Sequence, residues 1–116
     1  MSEIMRSHVG KRLSEVARYN DVIYLAGQVA DDVTQDIKGQ TAQVLASVDH
    51  LLEEHGSDKT KILQCLIYIS DMALFQQMNE VWDAWVAPGC TPPRATVEAK
   101  LASPAKLVEI VVTAAI

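Results

Sequence analysis

Apolar residues recur along this chain with two different periods, and the switches between them divide it into elements. Residues 16–19 and 22–26 are short β-forming runs on either side of Asn20-Asp21, a pair suited to a tight hairpin turn. The second run stops at Gly27, and the polar stretch 31–36 reads as a loop. From Asp36 to His55 the period changes to that of a helix. Ile37, Val44, Leu45, Val48, Leu51 and Leu52 fall on one face, with Gln43, Ser47, Glu53 and Glu54 on the other. Asp36 can accept from the free N–H groups of the first turn, and Gly56 can take the left-handed position that ends the helix.

Residues 62–69 form a continuous apolar run, too short for a helix and rich in Ile, which predicts a buried strand. Ser70 or Asp71 then starts a second helix reaching about residue 86, with Phe75, Met78, Trp82 and Trp85 as its apolar stripe. The Trp pair reads as core or interface packing, not as a base-stacking platform. Pro88-Gly89 breaks the helix, and Thr91-Pro92-Pro93 holds the next segment extended. Residues 94–100 alternate, with Arg94, Thr96 and Glu98 on one side. After Ser103-Pro104, residues 107–115 form a strongly apolar strand.

The predicted order is therefore β-β-α-β-α-β-β, an α+β single domain over residues 1–116, with a mixed sheet and two helices on one face. The other sheet face needs cover. In so short a chain self-association supplies it economically.

Composition narrows the class. Hydrophobic residues make up 49% and charged ones 22% of the 116 residues, the balance of a soluble globular domain. No apolar run approaches the roughly 20 residues that cross a bilayer, and residues 1–11 lack a signal-peptide core. The expected location is the cytoplasm. The net charge of −5 argues against nucleic acid as partner, because Lys and Arg are scattered. Only Arg6, Lys11 and Arg12 group, and they read as a solvated N-terminal arm. Cys65 reads as a buried thiol and Cys90 as a loop residue; a structural disulfide is not expected in a reducing compartment, and their spacing matches no zinc site.

Two charges interrupt apolar strands. Glu109 lies within Leu107-Val108-Glu109-Ile110-Val111-Val112, where an unpaired buried carboxylate would be costly. Arg94 directly follows two prolines that fix its backbone, and its guanidinium can grip a carboxylate by two parallel hydrogen bonds. Taken alone, the pair reads as a structural salt bridge between neighbouring strands. His8, His50 and His55 show no metal-ligand spacing, and the last two read as a solvated helix end. Asp31-Asp32 reads as loop solvation. No phosphate-binding glycine loop or nucleophile elbow is present.

Four segments, in order and at matching spacing, resemble the YjgF/RidA family over nearly the whole chain. Tyr24-Leu25-Ala26-Gly27-Gln28 is similar to the family's strand ending in Ser-Gly-Gln. Met78-Asn79-Glu80-Val81-Trp82 resembles its Asn-x-x-aromatic helix motif. Pro93-Arg94-Ala95-Thr96-Val97-Glu98 resembles its Pro-Arg strand, and Lys106-Leu107-Val108-Glu109-Ile110 its closing strand, with Glu fifteen residues after Arg.

The resemblance implies a chorismate-mutase-like fold, a homotrimer with three inter-subunit clefts, and hydrolysis of 2-imino acids or enamines to 2-keto acids and ammonia, protecting other enzymes from these reactive species. It implies that Arg94 binds the substrate carboxylate, helped by the main-chain N–H near Thr96, and that Glu109 positions and deprotonates a water. Gly27 would bring backbone close to the ligand. Leu13, Ala26 and Asn79 would line or support the cleft. No metal or organic cofactor is implied, since an iminium carbon is already electrophilic. The chain departs from the family where Ala26 replaces Ser, Leu13 replaces Tyr and Thr96 replaces Cys. Those changes leave a second function open, a non-catalytic module that binds a carboxylate-bearing metabolite.

Overall fold

A computed structural model describes residues 3–116 of the chain. Strands β1 (Ile4–Val9), β2 (Ser14–Tyr19), β3 (Val22–Leu25) and β4 (Gln28–Val29) precede helix α1 (Ile37–Glu54). Strand β5 (Ile62–Ile69), helix α2 (Phe75–Trp85) and strands β6 (Arg94–Glu98) and β7 (Val108–Ala115) follow. The sheet order is β1-β2-β3-β7-β5-β6, with β4 also pairing β7. Only β5 and β6 are parallel, joined by the α2 crossover; the other pairings are antiparallel. This is the α+β arrangement expected, enlarged by two strands.

The hairpin turn forms as read. Tyr19 pairs with Val22 around a two-residue loop, and Asn20 takes a positive φ of 54°, which Asn tolerates better than most residues. In α1 the Asp36 side chain accepts from the Gly39 N–H at 2.9 Å. At the other end Gly56 sits at φ 78°, and the Gly56 and Ser57 N–H groups donate to the Glu53 and Leu52 carbonyls, closing the last turn. Asp71, at the start of a 3₁₀ turn over Met72–Leu74, caps Ala73 N–H and leads into α2.

The N-terminal arm is a correction. The part described from residue 3 onward is no solvated tail, since Ile4–Val9 pairs along β2 as an edge strand and carries Arg6 within it. Its residues are mostly exposed, so hydrophobic patterning gave no signal; backbone pairing and side-chain ties hold it. Ser7 Oγ lies 2.8 Å from His55 Nε2, and His8 Nε2 lies 2.5 Å from Glu54. His55 is consequently only 15% exposed and bonded at both ring nitrogens, whereas His50 stays at the surface as expected. Hydrogen bonding by His8, with its charge and those of His55 and His50, holds the Glu54 carboxyl below its ordinary value.

One sheet face builds the core. Cys65, Ile67 and Ile69 of β5 and Val108, Ile110, Val112 and Ala114 of β7 alternate inward, against Val44, Leu45, Val48 and Leu52 of α1 and Met78 and Trp82 of α2. The intervening Leu66, Tyr68 and Val111 project to the opposite face, where no helix covers them. The exposed Tyr24 and Val97 lie on that side too, by register with Thr113 and Tyr68. No described helix is long and apolar enough to cross a membrane.

Gln40 is the most tightly held polar group of the core. Fully buried on α1, it donates to the carbonyls of Ala105, Gln35 and Val33, and its Oε1 accepts from Leu107 N–H at 2.9 Å. It thereby ties the helix to the segment that enters β7. Gln40→Leu removes all four of these bonds and is expected to destabilise the fold by about 2–4 kcal/mol, read as a shift of the urea midpoint.

Candidate functional site

Glu109 owes its setting to an irregularity in the sheet. Tyr24 pairs with Thr113 and Gln28 with Ile110, so residues 25–27 face only residues 111 and 112. One extra residue is accommodated at Ala26-Gly27, a bulge of the kind that re-aims side chains beside sites. The Ala26 N–H turns away to the Glu15 carbonyl at 2.8 Å, and Gln28 Nε2 donates to both the Ala26 carbonyl and the Glu15 carboxylate. Leu13, at the β1–β2 hairpin end two residues from Glu15, is 56% exposed.

Gly27 lies directly against the Glu109 side chain. A Cβ at position 27 would collide with the Glu109 carboxylate. Glu109 alternates with buried Val108 and Ile110, so it lies on the uncovered face, half-buried; its carboxylate bonds to no described side chain.

Arg94 lies on the other face. It is in register with buried Cys65, and its guanidinium carbon sits 5.0 Å from the Trp82 ring centre and 5.9 Å from that of Phe75, both on α2. Arg94, Thr96 and Glu98 share this side, as the alternation predicts; Glu98 accepts from Met72 N–H beneath. The direction of Arg94 is fixed from its base, since the Pro93 carbonyl accepts from Cys65 N–H. Arg94 takes part in no hydrogen bond or ion pair among the described residues. Cys65 is no counter-ion, because burial pushes its thiol up to about 12 against the opposing pull of Arg94.

The salt-bridge reading of Arg94 with Glu109 is therefore wrong for a single chain. The strands are not neighbours, since β5 lies between them, and the two side chains leave opposite faces. The structure groups the sequence-derived residues into two sets. Gly27, Ala26 and Glu109 meet at the bulge. Arg94 and Thr96 stand over α2, where Asn79 lies between Phe75 and Trp82 on the helix. Thr96 Oγ1 and Asn79 Oδ1 are both buried without a hydrogen-bond partner, the only such side-chain atoms among the described residues. Both are acceptors that a ligand could use. The aromatic setting of Arg94 was not legible in the sequence, where the Trp pair reads as core or interface packing; Trp82 is 5% exposed and also faces the guanidinium. Trp85 packs beside it and donates to Asp49 at 2.8 Å.

A groove of about 520 Å³ lies elsewhere, between α1 and the β1–β2 hairpin. His8, Glu15, Gln28, Asp31, Asp32 and His50 contribute to it, but neither Arg94 nor Glu109 does. Asp32 is engaged locally, its carboxyl held below its ordinary value by hydrogen bonds from Thr34 and Gln35. Cys90 is exposed and free.

Comparison with known proteins is decisive for the family. The chain matches the family described as Endoribonuclease L-PSP over residues 5–116. A crystal structure of a member of the YjgF protein family from Neisseria meningitidis is 46% identical and superimposes with a TM-score of 0.95, covering 97% of this chain and 94% of that one. The chain belongs to the YjgF/RidA family. A RutC family protein of Haemophilus ducreyi is 50% identical over 97% of each chain. RutC family protein YoaB of Escherichia coli is 41% identical over 97% of this chain and 98% of its own. In this YjgF/RidA chain the Gly-Gln and closing-strand motifs fall together at the bulge, while the helix and Pro-Arg motifs fall together over α2.

Proposed function

We propose that the chain hydrolyses reactive 2-imino acids and their enamine tautomers to 2-keto acids and ammonia, in the cytoplasm and without a metal or organic cofactor. The observation that carries this reading is the separation of an uncommitted guanidinium from an uncommitted carboxylate on opposite sheet faces. Neither is spent on structure, and one chain cannot bring them together. A homotrimer whose inter-subunit clefts take Arg94 from one copy and Glu109 from the next would complete the site. The uncovered apolar sheet face supports such an assembly.

In such a cleft Arg94 takes the substrate carboxylate bidentately and fixes the imine carbon in place. Thr96 adds its main-chain N–H to the carboxylate contacts. Glu109 accepts a proton from water as the water oxygen bonds to the imine carbon, giving a carbinolamine. That proton passes to nitrogen; Glu109 then takes the remaining hydroxyl proton as the C–N bond breaks and the carbonyl forms, and ammonia leaves. The electrons of the broken bond depart with nitrogen, so no redox partner enters.

Gly27→Ala tests the geometry. The added methyl displaces the Glu109 carboxylate, and turnover is expected to fall by up to about 100-fold. A stability loss alone, with kcat unchanged in the folded fraction, would count against the role of Glu109.

The test of the function is release of keto acid and ammonia from imines of several 2-amino acids, including that derived from 2-aminoacrylate. No acceleration over buffer for any of them sinks the hydrolase reading. Stabilisation by 2-keto acids without turnover would instead support a carboxylate-binding module, in line with the missing hydroxyl at Ala26. The family description also names an endoribonuclease, but the net charge of −5 does not favour a phosphate-tracking surface.

A further inference from the structure

We propose that Phe75 and Trp82 are positioning residues, an aromatic seat that fixes the Arg94 guanidinium by its π-face contacts and keeps its N–H fork free for a ligand carboxylate. This deepens the carboxylate-clamp reading and rests on it.

The geometry restrains the side chain at both ends. Pro92 and Pro93 limit the backbone before it, and the Cys65 N–H to Pro93 carbonyl bond of 3.0 Å ties that backbone to β5. At the tip, two rings of α2 seven residues apart, and so on one helix face, both lie within 6 Å of the guanidinium carbon, at 5.0 and 5.9 Å. A neighbouring carboxylate would also hold an arginine, but it would occupy the in-plane donors and compete with the substrate. A ring attracts the cation through its face and takes none of the five N–H groups. Among the described residues no carboxylate pairs with Arg94. The orphaned Asn79 Oδ1, between the two rings along α2, leaves a further polar atom on the same helix face unspent.

The test measures binding by NMR titration of the full-length protein, with 2-oxobutanoate and its methyl ester as probes. Trp82→Leu and Phe75→Leu are each expected to weaken 2-oxobutanoate about ten-fold while changing the ester less than about two-fold. Trp82→Phe, which keeps a ring, restores most of the affinity. In an Arg94→Ala background Trp82→Leu has no further effect. If Trp82→Leu does not fold, the less buried Phe75 decides the matter. Equal losses for acid and ester, or wild-type binding of the acid by both leucine variants, overturns the seat. Wild-type binding by Arg94→Ala overturns the clamp and the seat together. The expected pattern in a protein that hydrolyses no imine upholds the seat and removes only the hydrolase reading.

Discussion

Arg94→Ala is expected to lower kcat/KM for imine hydrolysis by about two to three orders of magnitude. The guanidinium is the only group in the site that can hold a carboxylate by two parallel bonds, and it stands uncommitted over an aromatic surface. Its loss removes both the attraction and the orientation of the reacting carbon. Arg94→Lys keeps the charge but not the fork, so it is expected to recover only part of the rate. Glu109→Gln separates the second role. It is expected to reduce kcat to a similar degree while leaving the affinity for 2-oxobutanoate near that of the unaltered protein. Steady-state kinetics beside a binding titration distinguish the two. Equal effects of both variants on binding would deny Glu109 a separate task.

Much of this was legible from residues. Both helices announced themselves by their apolar stripes; Asp36 and Gly56 also bound α1, whereas α2 starts at Phe75, after a 3₁₀ turn capped by Asp71, and not at Ser70 or Asp71 as expected. The alternation of Arg94, Thr96 and Glu98 was also legible, since the period of a strand is fixed by its own backbone. What could not be read is the phase of one strand against another. Whether Arg94 and Glu109 share a face depends on register through β5, and register is set by packing between distant segments. The β1 strand was missed for a related reason: an exposed edge strand needs no apolar face, so its sequence carries no period. The bulge at Gly27 left one trace, the glycine itself, but its partner in the collision is a carboxylate more than eighty residues away. The aromatic seat combines both limits, for the stripe on α2 was visible and the cation resting on it was not.

The separation of Arg94 from Glu109 leads to the sharper prediction. Within one chain they are two strand spacings apart, about 10 Å, offset along the strands and on opposite faces. A cleft that needs both must draw them from different copies. Arg94→Ala and Glu109→Gln proteins, each inactive alone, are then complementary, because each retains the group the other lacks. Mixed by unfolding and refolding at equal amounts, about one quarter of the clefts pair an intact Arg94 with an intact Glu109, and about one quarter of the original activity is expected to return. A chain carrying both substitutions, mixed with either single variant, restores nothing, which excludes a general effect of refolding. No recovery in mixtures shown by mass to contain both chains would mean that one copy supplies both groups, contrary to the face assignment. Recovery near one quarter would identify the assembled oligomer, and not the single chain, as the unit that holds the site.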